Sequence, residues 1–332
     1  MVGTSEDCVL VTGGCGFVGR HLIKSMINSE EKIVIIDDLS NGDYNFVKSM
    51  ISNHQSPANK NGAEIVFYKE DIRNERDVLE IVRKENVHHC IHLAAKISVK
   101  ESFDKPHDTI DVNVDGTLNV LRACSNNHVR SFVFASSAAV YGDAKHLPAV
   151  EGTPMRPKSP YGASKVAGEA LVCSYSSRIK STFGLRFFNI YGVGKSPAYS
   201  GVIASIIARL ANRLPPIIYG DGNQTRDFVF IDDVVKSIML AKNHLRDQQD
   251  DSKISYSALN IGTGRAVSVN YLVQTIQRIS GLISKEVILA NSIDGDITHS
   301  YSDTYNAEYV LGFIPSMRLE DGLERIVLKK DG

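Results

Sequence analysis

The stretch Cys8-Val-Leu-Val-Thr-Gly-Gly-Cys-Gly-Phe-Val-Gly-Arg-His21 decides the fold, because it places glycines at positions 13, 16 and 19 between a strand-like run and a helical pattern. Without a Cβ, Gly13 can make a tight turn, and Gly16 lets the backbone approach a pyrophosphate. Gly19 allows close packing of the helix on the strand. The N–H groups and the dipole at the start of this helix favour phosphate groups. For the glycines alone, a purely structural tight turn is the alternative.

An acidic pair at the end of the second strand-like run indicates which dinucleotide such a turn would hold. Asp37 follows Gly13 by about 24 residues, and Asp38 comes directly after it. A carboxylate at this place can accept hydrogen bonds from a ribose 2′-OH, and it repels a 2′-phosphate. No Arg or Lys stands in the next four residues, 39–42. The pattern therefore favours NAD over NADP, with an ordinary N-cap or loop role for Asp37 as the alternative.

Short apolar runs alternate with helical patterns through the first half of the chain. The runs are rich in Val, Ile and Phe and lack regular polar alternation, which is typical of strands covered on both faces. The strand-like runs are 8–11, 32–36, 64–68, 89–93, 131–135 and 182–187, and the helical patterns are 19–28, 74–85, 109–127 and 160–179. This alternation predicts an α/β fold of the Rossmann type, with a doubly wound parallel sheet.

The alternation loosens after Asn189, which predicts a smaller C-terminal substrate domain. A further strand, helix and strand pattern within 228–262 is expected to return to the main sheet. The predicted ranges are 1–187 with 228–262 for the Rossmann domain, and 188–227 with 263–332 for the smaller domain. The polar segments 53–62 and 244–253 are typical of surface loops.

The bulk composition of the 332 residues narrows the class of protein. Basic and acidic residues nearly cancel, at a net charge of −1, so a nucleic-acid-binding protein is not indicated. The five cysteines include no Cys-x-x-Cys pair, which favours isolated thiols in a reducing compartment over disulfides or a zinc site. No signal peptide and no apolar run of membrane-spanning length is seen, so we expect a soluble cytoplasmic protein that contacts no membrane.

The stretch Ser159-Pro-Tyr-Gly-Ala-Ser-Lys165 opens a helix and carries a candidate general base. Ser159 is suited to the N-cap and Pro160 to the first turn. Tyr161 and Lys165 are four residues apart, so both lie on one helical face. A nearby ammonium and a positively charged nicotinamide ring favour the phenolate, which lowers the pKa of a tyrosine from about 10. Taken alone, this spacing is also common on surface helices.

A serine at the end of a buried strand strengthens this interpretation. Ser137 follows the run 131–135, and ligands of open α/β sheets bind at the carboxyl ends of the strands. Its hydroxyl can therefore contact a substrate oxygen, with a hydrogen bond to the loop backbone as the alternative. A strand, then Ser137, then Tyr161 and Lys165 about two dozen residues later is far more specific than either element alone.

Together these motifs resemble the extended short-chain dehydrogenase/reductase family, and within it the NAD-dependent nucleotide-sugar 4-epimerases that act on UDP-glucose or UDP-N-acetylglucosamine. The matching motifs run in order through almost the whole chain. They lie at 13–21, 37–40, 71–73, 92–95, 113–117, 136–142, 159–165, 185–189, 220–228 and 295–303.

The resemblance implies a role for each site residue. It makes Ser137, Tyr161 and Lys165 catalytic and implies no metal. The residues implied for binding NAD are Gly13, Gly16, Phe17, Val18, Gly19, Asp37, Asp38, Ser40, Asn41, Gly42, Asp71, Ile72, Leu93, Ala94, Ala95, Asn113, Ser136, Tyr161 and Lys165. The residues implied for binding a UDP-sugar are Ser98, Ser137, Asn189, Val202, Tyr219, Arg226 and Ser300. A homodimer formed through the helical patterns 109–127 and 160–179 is implied as well.

The residues after Ser137 separate the reactions within this family. Similar dehydratases and decarboxylases carry an acidic residue there, whereas Ala138 and Ala139 cannot transfer a proton. The resemblance therefore implies 4-epimerisation. Tyr161, as phenolate, takes the proton of the sugar 4-hydroxyl, and hydride passes to NAD and returns to the other face of a transient 4-keto intermediate. Because NAD is regenerated in each turnover, we expect it to stay tightly bound.

Two further positions bear on the substrate. Ser300 stands where similar glucose-specific enzymes carry a bulky tyrosine, which favours UDP-N-acetylglucosamine, alone or beside UDP-glucose; a small packing residue is the alternative. Ile293 stands where the family usually has an arginine that grips the diphosphate. Either another cation replaces it, with Lys195, Arg209, Arg265 and Arg318 as candidates, or the nucleotide is bound more weakly or differently.

Three other activities stay open. They are a UDP-glucuronate 4-epimerase, a nucleotide-sugar dehydrogenase or reductase, and a non-catalytic NAD-binding protein. The role of Arg226 also has two interpretations. Its guanidinium can donate two hydrogen bonds to phosphate oxygens, and an ion pair with Asp227 or another carboxylate is the alternative.

Overall fold

The computed structural model describes residues 7–54, 63–194, 201–247, 255–282, 286–292 and 295–328. Most of the predicted 53–62 loop therefore lies outside the described residues, as do Lys195, Ile293 and the segment 248–253.

A seven-stranded parallel sheet forms the centre of the molecule. Its strands are β1 (Cys8–Thr12), β2 (Lys32–Asp37), β3 (Ile65–Lys69), β4 (His89–His92), β5 (Ser131–Ser137), β6 (Ser181–Phe187) and β11 (Ser255–Ile261). They lie in the order β11-β6-β5-β4-β1-β2-β3, and all neighbours are parallel. The strand order runs outward in both directions from the β1–β4 boundary, so the prediction of a doubly wound Rossmann-type sheet is confirmed.

Helices cover both faces of this sheet. They are α1 (Phe17–Met26), α2 (Tyr44–His54), α3 (Glu75–Lys84), α4 (Val99–Asp104), α5 (Pro106–Ile110), α6 (Gly116–Asn126), α7 (Pro160–Tyr175) and α9 (Ile231–Asp247). Successive side chains of a strand point to opposite faces, so Val9 and Val11 pack with α1 and α9, whereas Leu10 packs with α3 and α6. Each strand of the centre is therefore apolar on both faces, which explains the continuous apolar runs in the sequence.

Several predicted boundaries differ from the structure, among them the helical pattern 160–179, which ends at Tyr175. The helical pattern 109–127 is α5 and α6, joined by a π-helical turn at Asp111–Asp115, and it begins at Pro106. β5 continues to Ser137 because its last residues pair with Arg186 and Phe187 of β6. The predicted loop 244–253 is wrong at its start: α9 continues to Asp247, and the ring of His244 packs 5.7 Å from that of Phe183.

The rest of the chain forms small two-stranded pairs and further helices beside the carboxyl ends of the sheet. The strands are β7 (Asn189–Tyr191), β8 (Ile217–Tyr219), β9 (Thr225–Arg226), β10 (Phe228–Phe230), β12 (Val267–Ser268) and β13 (Ile288–Ala290), and the helices are α8 (Val202–Ala211), α10 (Val269–Ser280), α11 (Tyr305–Leu311) and α12 (Leu319–Val327). β11 returns to the main sheet beside β6, whereas β10 pairs with β7 outside it. The domain division at 187, 227 and 262 stays a prediction. Within the described ranges, no helix is both long and apolar enough to span a bilayer.

Candidate active site

The glycine turn between β1 and α1 packs too closely for side chains at three of its positions, including Gly14, where a Cβ would lie 2.7 Å from Cγ2 of Ile35. Gly13 has a φ of +71°, and a Cβ there would lie 2.7 Å from the amide nitrogen of Ala94. A Cβ on Gly19 would lie 2.3 Å from the carbonyl oxygen of Gly13. At Gly16, by contrast, a Cβ would meet only that same carbonyl, at 3.2 Å, and would otherwise occupy open space. The turn is thus a backbone cradle that is open on one side, as a bound pyrophosphate requires.

Asp37 ends β2 beside this cradle. Its side chain is buried, and its two carboxylate oxygens accept the N–H groups of Cys15 and Leu39, each at 2.9 Å. Burial raises the pKa of Asp37, and the two N–H groups oppose that rise. The carboxylate therefore both fixes the local backbone and lines the neighbouring cavity, so the loop-residue and ribose-binding interpretations are compatible.

A cavity of about 740 Å³, named here the larger cavity, opens over the carboxyl ends of the strands. A volume of this size is typical of small-molecule and cofactor sites. It is lined by all the residues predicted to bind NAD except Asn113: Gly13, Gly16, Phe17, Val18, Gly19, Asp37, Asp38, Ser40, Asn41, Gly42, Asp71, Ile72, Leu93, Ala94, Ala95, Ser136, Tyr161 and Lys165. The cradle, the acidic strand end and the volume therefore fit NAD, although the individual roles stay predictions.

Asn113 is buried behind the wall of this cavity. Its Oδ1 accepts the N–H of Lys96 at 2.7 Å, and its Nδ2 donates to the carbonyl of Lys96 and to the hydroxyl of Ser164. Lys96 lines the larger cavity and Ser164 lies on α7. Asn113 therefore joins the wall of the cavity to α7 and does not line the cavity itself.

Three predicted catalytic side chains meet where the larger cavity joins a second one. Ser137 ends β5, Tyr161 lies in the first turn of α7, and Lys165 lies one turn later. As predicted from the sequence, Ser159 caps this helix, accepting the N–H of Gly162 at 3.1 Å. The ammonium of Lys165 donates to the carbonyl of Ala135 at 2.8 Å and lies 6.0 Å from the centre of the Tyr161 ring.

Burial shifts the pKa values of both Tyr161 and Lys165. Burial raises the pKa of Tyr161, and a hydrogen bond with Ser137 opposes that rise. Burial also lowers the pKa of Lys165 to about 8. In the chain without NAD, the loss of hydration thus outweighs an ammonium that is directed at the Ala135 carbonyl. The expected lowering of the tyrosine pKa, which also requires the charge of the nicotinamide ring, stays a prediction.

The second cavity, named here the smaller cavity, has a volume of about 540 Å³. Six of the residues predicted to bind substrate line it: Ser137, Asn189, Val202, Tyr219, Arg226 and Ser300. The seventh, Ser98, lines the larger cavity. Because Ser137 and Tyr161 line both cavities, one ligand in each would meet at these two hydroxyls.

The guanidinium of Arg226 is already paired. It forms an ion pair with Asp296 and donates to the carbonyl of Thr225 at 2.8 Å. Asp227 is not its partner, since that buried carboxylate accepts N–H and O–H groups from Thr263, Gly264 and Ser302. Of the described residues that line the smaller cavity, Asp296 is the one with an acidic side chain. Ala138 and Ala139 line the same cavity beside Ser137.

The cations considered as replacements at position 293 lie elsewhere. Arg209 donates to the carbonyl of Pro215, and Arg265 and Arg318 are exposed; none of the three lines either cavity. The structure instead places Lys100, which was not predicted, on the wall of both cavities. No ion-pair partner of Lys100 is found within the described ranges. The one feature of the sequence that could have indicated Lys100 is its position, five residues after the 92–95 motif.

Comparisons with known proteins agree with this site. Residues 9–262 match the NAD dependent epimerase/dehydratase family. The chain is 33% identical to the UDP-glucose 4-epimerase of Mycolicibacterium smegmatis over 321 residues, which cover 96% of each chain. It also resembles the crystal structure of UDP-glucose 4-epimerase with UDP-glucose from Thermotoga maritima, with a TM-score of 0.83, 30% identity and 97% of each chain covered.

A second solved structure carries a different sugar. It is the UDP-N-acetylglucosamine 4-epimerase from Methanobrevibacter ruminantium in complex with UDP-N-acetylmuramic acid, with a TM-score of 0.81, 30% identity and 97% of each chain covered. The predictions of NAD as the cofactor and of an isomerase are confirmed by these matches. The chain belongs to the NAD dependent epimerase/dehydratase family, as an epimerase of UDP-sugars.

Proposed function

We propose that the enzyme inverts C4 of UDP-N-acetylglucosamine, and that it also accepts UDP-glucose. The observation that carries the choice of sugar is Ser300, a short side chain on the wall of the smaller cavity. The backbone N–H of Ser300 donates to the carbonyl of Thr225 at 3.1 Å, which fixes the position, and a serine leaves room there that a tyrosine ring would occupy. That space suits a 2-acetamido group. The Methanobrevibacter ruminantium structure, named for this sugar, supports the choice.

The catalytic steps follow from the three side chains at the junction of the cavities. Tyr161 takes the proton of the sugar 4-hydroxyl at its phenolic oxygen and later returns it. Ser137 donates a hydrogen bond to the same sugar oxygen, and Lys165 stabilises the phenolate by its charge. NAD, when bound, supplies the reversible oxidation of the carbinol carbon. Ala138 and Ala139, beside Ser137, offer no proton for eliminating water, which favours the return of hydride to the ketone.

We further propose that Arg226 and Lys100 hold the diphosphate. Arg226 reaches the smaller cavity with a guanidinium suited to phosphate oxygens, and Asp296 orients it. Lys100 adds a charge that no carboxylate of the described residues neutralises. Asn189, Val202 and Tyr219 line the same space and would contact the nucleotide.

The test is to incubate the purified protein, without added cofactor, with UDP-N-acetylglucosamine, UDP-glucose or UDP-glucuronate and to follow the C4 epimers by proton NMR. We expect the acetamido sugar to be converted with a kcat/KM at least equal to that for UDP-glucose, with no net absorbance of NADH. Turnover of UDP-glucuronate alone would overturn the choice of sugar. NADH formed in proportion to product would indicate a dehydrogenase.

A substitution at Ser300 tests whether the short side chain at this position determines the choice of sugar. We expect Ser300→Tyr to lower kcat/KM for UDP-N-acetylglucosamine at least about tenfold, because a ring would occupy the space of the acetamido group, a loss within the range for a filled pocket. UDP-glucose, assayed with the same variant, is the internal control and should keep its rate. Equal losses for both sugars would contradict this role of Ser300.

A further inference from the structure

A buried ion pair between Glu169 and Arg186 lies one helical turn beyond Lys165 on α7. Glu169 follows Lys165 by four residues, so the two lie on the same helical face. The Glu169 and Arg186 side chains are each 3% exposed. From β6, Arg186 Nε donates to Glu169 Oε1 at 2.9 Å, and Arg186 Nη2 donates to Oε2 at 2.7 Å. This bidentate geometry holds the carboxylate in one orientation.

The same carboxylate is bonded to the strand that carries the catalytic serine. The hydroxyl of Ser136 donates to Glu169 Oε1, and the ammonium of Lys165 donates to the carbonyl of the preceding residue, Ala135. Two consecutive residues of β5 are therefore bonded to two consecutive turns of α7, and Ser137 comes next. The distance between the Ser137 and Tyr161 hydroxyls depends on this connection between strand and helix.

Glu169, one helical turn from Lys165, is also the carboxylate whose charge acts on this lysine. Around the Lys165 ammonium lie Tyr161 on α7, His92 on β4 and the ring of Phe134, whose centre is 5.1 Å away. None of these carries a negative charge at neutral pH. Burial lowers the pKa of Lys165, and the charge of Glu169 opposes that fall.

The far side of Glu169 is joined to the C-terminal part of the chain. The hydroxyl of Tyr256, on β11, donates to Glu169 Oε2 at 2.9 Å. Arg186 donates to the carbonyl of Glu151 at 2.8 Å, and the carboxylate of Glu151 accepts the side-chain amide of Asn306. The carboxylate is thus held directly from β6 and β11, and its partner Arg186 is held by the loop that precedes α7.

We infer that Glu169 is a positioning residue of this active site: clamped by Arg186, it fixes the serine-bearing end of β5 against α7 and provides the counter-charge of Lys165. It lines neither cavity, so it acts through Ser136 and Lys165. The kinetic part of this inference rests on the proposed epimerisation.

The decisive variant is Glu169→Gln, which keeps the shape and an acceptor for Ser136 but removes the charge. We expect kcat to fall about fivefold at pH 8 and less than about twofold at pH 6.5, because fewer Lys165 side chains remain charged as the pH rises. The KM for the UDP-sugar should stay within about twofold, since no ligand contact is lost. In a titration of ¹³C-labelled lysine side chains by NMR, the pKa of Lys165 should fall by about one unit.

The matched control is Glu31→Gln. It removes a carboxylate from another buried lysine, Lys242, whose ion pair lies at the opposite end of the sheet. This variant should lose stability but keep the wild-type pH profile. A double variant, Glu169→Gln with Arg186→Met, avoids leaving an unpaired guanidinium in the interior. It should fold and still show the displaced pH profile.

Two outcomes would overturn the inference: an unchanged Lys165 pKa in Glu169→Gln, or a kcat loss that is the same at pH 6.5 and pH 8. If the wild-type protein epimerises none of the sugars, the proposed function fails. The NMR titration then still decides whether Glu169 provides the counter-charge of Lys165.

Discussion

At the scale of single residues, the environment of Tyr161 sets the chemistry. Its pKa is raised by burial, so the chain alone keeps the phenol protonated, and base strength must come from positive charge placed beside it. In the proposed mechanism Lys165 supplies this charge, and Glu169 is its proposed counter-charge. The mechanism therefore assigns the base strength to the charges around the hydroxyl and not to the tyrosine alone.

Replacing the phenol tests this directly. We expect Tyr161→Phe to lower kcat at least about 100-fold, because the proton of the sugar hydroxyl loses its acceptor. The tightly bound NAD should be retained, since the ring remains. Tyr175→Phe, on the same helix but on neither cavity wall, is the control. Epimer formation is followed by NMR, and cofactor content is measured after denaturation. A rate within twofold of wild type would contradict the assignment of Tyr161 as the general base.

His92, in the 92–95 motif, links stability to pH. Its ring is fully buried between the hydroxyls of Thr12, at 2.7 Å, and Thr117, at 2.9 Å, and burial lowers its pKa from 6.5 to about 3. Between these values the unfolded chain binds more protons than the folded one. The stability contributed by neutral His92 is thus complete above pH 6.5 and is lost as the pH falls towards 3.

We therefore expect the free energy of unfolding of the wild type to fall by about 2 kcal/mol more than that of His92→Gln between pH 7.5 and pH 5. Urea unfolding of both proteins at the two pH values measures this difference. His107→Gln, which replaces an exposed histidine, should behave as the wild type. Parallel losses in wild type and His92→Gln would show that His92 is not held neutral.

At the scale of elements, different glycines of the turn between β1 and α1 serve helix packing and ligand binding. Gly19 lets α1 lie against the turn, because a Cβ there would meet backbone atoms of Gly13 and Gly14 at 2.3 and 2.6 Å. Gly16 faces open space and lines the larger cavity. The same residue type therefore serves the fold at one position and the ligand at the other.

Alanine substitutions should separate the two roles. We expect Gly19→Ala to destabilise the protein by about 1–3 kcal/mol, as overpacking does, and to lose NAD. Gly16→Ala should fold with nearly wild-type stability but retain NAD at least about tenfold less tightly, because its methyl group occupies the place of a phosphate. Gly152→Ala, where a Cβ would have no neighbour within 4 Å, is the control. Thermal unfolding and cofactor content measure both effects; equal stability losses at positions 16 and 19 would contradict the distinction.

At the scale of the whole molecule, the outer face of α7 bears on assembly. Ala163, Ala170 and Cys173 are exposed along this helix at spacings that place them on one side. Small side chains of this kind let a second helix approach closely, which agrees with the homodimer implied by the family resemblance. The dimer stays a prediction.

We expect sedimentation velocity to give twice the mass of one chain for the wild type and the mass of one chain for Ala170→Arg, whose side chain would separate the two helices. Ala208→Arg, which alters an exposed alanine of α8, is the matched control and should leave the assembly unchanged. A dimer that persists in Ala170→Arg would place the interface elsewhere.

The sequence by itself determined the features that depend on spacing along one segment. The glycine turn, the acidic end of β2, and the Tyr161–Lys165 face of α7 each require only local geometry, and doubly buried strands show as apolar runs. For this reason the fold and most of the cavity wall could be predicted.

The tertiary structure alone decided what depends on contacts between distant segments. Arg226 meets Asp296 and not its neighbour Asp227, Asn113 lies behind the cavity wall, and Lys100 stands at the junction of both cavities. The raised pKa of Tyr161 likewise comes from burial. Such contacts and the loss of hydration exist only once the elements have packed, so no spacing within a single segment encodes them.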